Sequence, residues 1–156
     1  MTAHPTVRNS LLLLCVLCAG AVSSRVALAA DSALAIAASD AKLKWGGCPA
    51  FMPKGCALAV LHGDPSQQNA DVLLRIPAKS TIPMHIHTSA ERMILTEGEL
   101  HVTYEGQPMS VLKAGSYAYG PAKLPHKATC VSARRCILFI AFEQAVDAIL
   151  VEAAAK

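Results

Sequence analysis

No run of Lys or Arg longer than Arg134-Arg135 occurs in the chain, which leaves a nucleic-acid or anionic-membrane partner without footing. No glycine-rich phosphate loop is present, and no Ser or Cys stands in a setting that suggests a nucleophilic triad. Aromatic residues are scarce, at 4%, against an apolar content of 53%. Internal repeats, coiled-coil heptads and long linkers are missing too, so 156 residues read as one domain. The apolar run at residues 11–22 is about a dozen residues long, too short to span a bilayer comfortably.

That run belongs to a different feature. Arg8 lies in a short polar segment before it, and Ala27-Leu28-Ala29 follows it, the order of a secretory signal with cleavage before Ala30. A retained amphipathic anchor is the alternative reading; Cys15 and Cys18 are each preceded by a leucine, Leu14 and Leu17, rather than by the small residue of a lipidation site. Removing residues 1–29 takes away Arg8 and Arg25 and no acid, so the net charge falls from +3 to +1. The basic balance is thus largely a property of the leader. The expected product is a periplasmic or secreted protein with no stable membrane insertion after cleavage.

Four cysteines remain after such cleavage: Cys48, Cys56, Cys130 and Cys136. An even number in an exported chain favours disulfides, with three connectivities open. Local pairing, Cys48–Cys56 and Cys130–Cys136, is the expectation. Cys130 and Cys136 flank what reads as a hairpin tip, where opposed residues come within disulfide reach. Spacings of seven and five intervening residues are unlike those of zinc knuckles.

Residues 30–41 are Ala-rich and read as a flexible lead. From Lys42 onward short segments are cut by Gly and Pro, the pattern of an all-β sandwich or barrel. Strands are expected at 57–61, 71–76, 82–87, 91–96, 99–105, 108–112, 116–119, 126–131 and 136–142. Residues 126–131 and 136–142 form the proposed hairpin. The tail is read as a short strand within 146–151 and a frayed end.

His85 and His87 are two apart, so on a strand both imidazoles face one side. Glu91 has the same parity, and a bend through Thr88-Ser89-Ala90 would swing its carboxylate back towards them. His126 is distant in sequence, and only a closed barrel would bring it close. Imidazole and carboxylate donors suit iron, manganese, nickel, copper or zinc. A His-x-His pair alone is more often an ordinary surface or hairpin feature. The further spacing adds weight: six residues separate Glu91 from Gly98, sixteen separate Gly98 from Gly115, and Pro121 and His126 follow.

With those residues in register, the sequence resembles the cupin superfamily, whose motifs are G-x₅-H-x-H-x₃₋₄-E-x₆-G and G-x₅-P-x-G-x₂-H-x₃-N. The resemblance covers residues 79–130, with Lys79, Lys123 and Cys130 standing where the family has Gly, Gly and Asn. The upstream Trp45-Gly46-Gly47-Cys48-Pro49 stretch is similar to small exported cupins related to the cupin domain of ChrR-type anti-sigma regulators. The resemblance implies a single-domain jelly-roll β-barrel over residues 42–152. It also implies one divalent transition metal, iron first, held by His85, His87 and His126, with Glu91 as fourth ligand or catalytic base. The implied activity is that of a dioxygenase-like oxidoreductase on a small organic molecule. A metal-dependent isomerase or lyase, and a non-catalytic metal- or ligand-sensing module, are the alternatives. A homodimer would also fit the family.

Other residues carry weaker signals. His101 reads as a solvent-facing strand residue, and His62 as exposed beside a turn. Tyr117 and Tyr119 share one face of a strand, opposite Ala118 and Gly120; either face could look onto the metal. Ile82, Met84, Met93 and Phe139 are candidate apolar lining.

Overall fold

The computed structural model describes Met1 and residues 32–152, so the expected leader at residues 1–29 and its expected cleavage site lie outside the described residues apart from Met1. The chain separates into a unit Met1–Leu34 and a compact unit Ala35–Lys156 that contains the whole barrel. No helix occurs among the described residues.

Eleven strands follow in order: β1 Trp45–Gly47, β2 Ala57–His62, β3 Ala70–Ile76, β4 Ser80–Ile86, β5 Glu91–Glu97, β6 Glu99–Tyr104, β7 Ser110–Lys113, β8 Tyr117–Gly120, β9 His126–Cys130, β10 Cys136–Phe142 and β11 Ile149–Leu150. They form two antiparallel sheets, a six-stranded one ordered β1-β2-β3-β10-β5-β8 and a five-stranded one ordered β11-β4-β9-β6-β7. This is the all-β architecture expected from the segment pattern. Its cause is period-two alternation. In β5, Met93 and Leu95 turn inward while Arg92, Ile94 and Thr96 turn out; in β6, Leu100, Val102 and Tyr104 turn inward. The two inward faces meet over a core that includes Val72, Leu74, Ile76, Leu95, Leu138 and Ile140.

Residues 126–131 and 136–142 do not form the expected hairpin. β9 pairs with β4 and β6 in one sheet, whereas β10 pairs with β3 and β5 in the other. The segment between them crosses from sheet to sheet, which local alternation cannot reveal. The Cys130–Cys136 disulfide still forms, with a Cα–Cα distance of 5.8 Å, but it staples the two sheets together. Cys48–Cys56 is also bridged, at 5.7 Å. Gly98 fits against the inter-sheet bridge: a Cβ there would stand 2.8 Å from the Cys136 sulfur, and its φ is 93°.

Lys79 and Lys123, which replace motif glycines, hold φ of 53° and 62°. Each left-handed Lys costs about 1 kcal/mol relative to Gly. The turn is kept in both cases, and the Lys123 N–H donates to the His87 carbonyl at 2.8 Å.

Candidate metal centre

The residues in question come from both sheets. His85 lies in β4 opposite His126 at the start of β9, and His126 is in turn the register partner of Tyr104 in β6. A register irregularity between Ile82 and His85 precedes the pair, re-aiming the end of β4. His87 stands just past β4. The chain then bends through Thr88 and Ser89 into the other sheet, where Glu91 opens β5 between Gly120 and Phe142. The bend anticipated from sequence is therefore present, but it is a crossing between sheets.

Ser89 holds that crossing. It is 1% exposed, its hydroxyl donates to the Ala90 carbonyl at 2.6 Å, and it accepts from the N–H groups of Glu143 and Gln144 at 2.9 and 3.0 Å.

His85, His87 and His126 are buried, and one ring nitrogen from each lies within 4.8 Å of the other two. In every case Nδ1 faces a main-chain carbonyl: Pro83 at 2.8 Å for His85, Leu124 at 3.0 Å for His126, and Asp147 for His87. A carbonyl can only accept, so each Nδ1 carries the hydrogen and each Nε2 presents a lone pair. Burial first, then the neighbouring imidazoles, pushes the His85 pKa down to about 3; burial likewise takes His126 down to about 4. Both rings are neutral at physiological pH, the form that binds metals.

Glu91 is 3% exposed, and burial raises its carboxyl pKa while His87 opposes the shift. Its oxygens stand 3.6 Å from His87 Nε2 and 3.5 Å from His126 Nε2. These nitrogens and an ionised carboxylate are all acceptors, so the arrangement requires a proton or a cation between them. Nitrogens bound to one ion at about 2.1 Å lie roughly 3–4 Å apart, so the three-histidine cluster needs little movement to hold one. The donor set fits a transition metal.

Gly120, on the small face opposite Tyr117 and Tyr119, makes room for Glu91: a Cβ there would stand 2.7 Å from a carboxylate oxygen. Two further contributors carried no clear signal in the sequence. Asp147 lies 60 residues beyond His87; its carbonyl takes the His87 hydrogen, and its carboxylate accepts from the Thr88 N–H at 2.9 Å and hydroxyl at 2.7 Å. No local pattern marks it. Tyr104, with its ring 5.1 Å from that of His126, faces the cavity and has its pKa raised by burial and by Glu91. Its parity with Leu100 and Val102 is the signal that could have found it.

The strand carrying Tyr117 and Tyr119 turns both tyrosines outward, 61% and 50% exposed, so it is the small face of Ala118 and Gly120 that looks inward. His62 is exposed, and His101 pairs with Glu99 on the outer face of β6 at 2.9 Å. Ile82 and Met93 line the cavity, whereas Met84 and Phe139 are not among its lining residues.

Comparison with known proteins agrees with this architecture. The ChrR cupin-like domain profile matches residues 33–146. No curated protein sequence matches the chain. Among solved structures, the DMSP lyase DddQ from Ruegeria pomeroyi aligns with a TM-score of 0.62 at 20% identity, covering 73% of this chain. The chain spans only 64% of that lyase's length. An RmlC-like cupin from Shewanella frigidimarina aligns at 0.57 with 22% identity, over 68% of this chain and 87% of that one. The polyketide cyclase RemF from Streptomyces resistomycificus aligns at 0.60 with 14% identity, over 72% and 82%. At these identities the similarity establishes a shared cupin fold.

Proposed function

The chain belongs to the ChrR cupin-like domain family, and we propose that it is an exported cupin with one divalent transition metal at His85, His87 and His126, acting as an enzyme on a small organic molecule. The observation that carries this reading is the set of three Nδ1–H bonds to main-chain carbonyls, which fix the imidazoles with their Nε2 lone pairs on one shared space. Iron is the first candidate for the ion, with manganese, nickel, copper and zinc behind it. When bound, the ion supplies the Lewis-acid and redox chemistry that the side chains lack.

The rest falls to the chain's own residues. Glu91 is a fourth ligand or a base: a buried carboxyl with a raised pKa exchanges its proton closer to neutral pH than an exposed one. The apolar walls around it limit water at the reacting end of the cavity. Oxygen-dependent oxidation is the preferred reaction class, with lyase or isomerase chemistry next. Export is supported by the leader-like residues 1–29 and the two disulfides.

A second reading is favoured by one finding, the match to the domain of ChrR-type regulators: a metal- or ligand-sensing module without turnover. Elemental analysis of protein purified from its exporting host tests the metal. Oxygen uptake by the iron-loaded protein on diketones, phenols and thiols tests the enzyme. Stoichiometric metal with uptake on at least one class is expected; no turnover with any redox metal, alongside tight ligand binding, would overturn the enzyme reading in favour of the sensor.

A further inference from the structure

Next to the histidines the barrel interior holds a cavity of about 270 Å³. Its walls are mainly aliphatic, with Ile82, Leu100, Val102, Leu138 and Ile140 among them, and Met93 adds a thioether. Polar chemistry is confined to a few groups: the three histidines, Glu91, Asp147 and Tyr104. Asp147 is already engaged with Thr88. Among the described residues no Lys or Arg lines the space. Away from the histidine end, a carboxylate or phosphate lying against those walls would lose its hydration and meet no cation in return, a costly burial.

Tyr104 is the exception to an otherwise satisfied interior. It is 7% exposed, and its hydroxyl is the one buried side-chain polar atom without a hydrogen-bond partner among the described residues. Leaving a buried donor unpaired is unfavourable, so such a group in a native protein calls for a partner, whether an ion, a water or a bound ligand. The hydroxyl borders the notch made by Gly120, 3.1 Å from where a Cβ would stand, and the Glu91 carboxylate borders the same notch at 2.7 Å. The free donor therefore sits at the histidine end of an apolar chamber.

We propose that the cavity takes a compact, mainly hydrocarbon molecule with a single oxygen head, and that the Tyr104 hydroxyl binds that head. The inference rests on the reading of the same site as a metal centre and adds the ligand class to it. A cavity of about 150 Å³ holds benzene, so 270 Å³ accepts roughly ten non-hydrogen atoms. The molecule carries no second charged group, because only the head end offers polar partners. Sugar phosphates and dicarboxylates are outside this class.

Titration calorimetry on the full chain, metal-loaded and metal-free, tests this with para-tert-butylphenol, para-hydroxybenzoate and tert-butylbenzene. The first two share a phenol head and differ in the far end, apolar or charged; the third has no head. The phenol is expected to bind at least about tenfold more tightly than the hydroxybenzoate, the scale of one lost polar partner. Tyr104→Phe is expected to weaken the phenol by roughly fivefold to tenfold and to leave tert-butylbenzene unchanged. Equal or tighter binding of the hydroxybenzoate overturns the proposal, as does no binding of the phenol. So does a variant that leaves phenol affinity intact or weakens both apolar probes alike. Metal content is measured on the same samples. A site that cannot be loaded overturns the metal reading, whereas a reversed probe preference with full metal overturns the ligand class alone.

Discussion

His87 takes its orientation from Asp147, a residue 60 positions further along the chain. The carbonyl of Asp147 receives the imidazole hydrogen, while its carboxylate fixes Thr88 beside it by two bonds. Removing the side chain leaves the carbonyl in place but frees the segment that carries it. Asp147→Ala should therefore keep the fold and weaken metal binding by at least about tenfold, the usual cost of losing a partner behind a ligand. Competition against a chelator of known affinity measures it; unchanged affinity would confine Asp147 to a structural role. His87→Ala acts on the ligand set itself. Stoichiometric metal should be lost and the melting temperature of the metal-loaded sample lowered, since binding to the folded state adds stability. Full metal occupancy in that variant, read by elemental analysis, would show the site to be misassigned.

At the scale of elements, the informative feature is the junction between β9 and β10. The sequence pattern suggests a hairpin there because two strand-like runs flank a short polar segment. The same pattern serves a crossing between sheets, and only the competition among partner strands decides. β10 lies in the middle of its sheet, paired along both edges with β3 and β5, and turns Leu138 and Ile140 inward. The Cys130–Cys136 bridge therefore ties two layers that no backbone ladder joins at that point. Replacing both cysteines by Ala should cost about 2 kcal/mol, the entropy of a short closed loop. Urea denaturation of the metal-free protein reads it, and a change below about 0.5 kcal/mol would mean that sheet packing alone fixes the junction.

Across the whole molecule, the buried histidines make stability depend on pH. His85 and His126 take up protons near 6.5 when unfolded but only at about 3 and about 4 when folded. Between 6.5 and about 4 the unfolded chain therefore binds more protons at these two sites, so stability falls as pH falls. Glu91 works the other way: its raised pKa lets the folded state hold a proton that the unfolded chain has lost, so its contribution falls as pH rises above 4.5. Two groups oppose one, and the metal-free protein should melt at lower temperature on acidification from 6.5 towards 5. Calorimetry across that range checks the sign, and a rising melting temperature would mean that the carboxyl dominates. Metal affinity of the folded protein should fall only at lower pH, on approaching about 4 and then about 3, where protons reach the His126 and His85 lone pairs and compete with the ion.

The sequence by itself determined most of the strands, though not β1, since burial on one face writes a period of two into segments such as β5 and β6 without help from distant residues. It also determined the histidine set, because their spacing falls in the motif register, and the residues themselves made local cysteine pairing the favoured choice. What only the tertiary structure decided is everything that depends on which strands meet. Gly120 as the space for Glu91, Asp147 behind His87, Tyr104 in the cavity and the sheet-to-sheet route of Cys130–Cys136 are contacts between segments remote in sequence. The physical reason is that local alternation fixes which way a side chain faces, whereas strand order, set by the packing of two whole sheets, fixes what it faces.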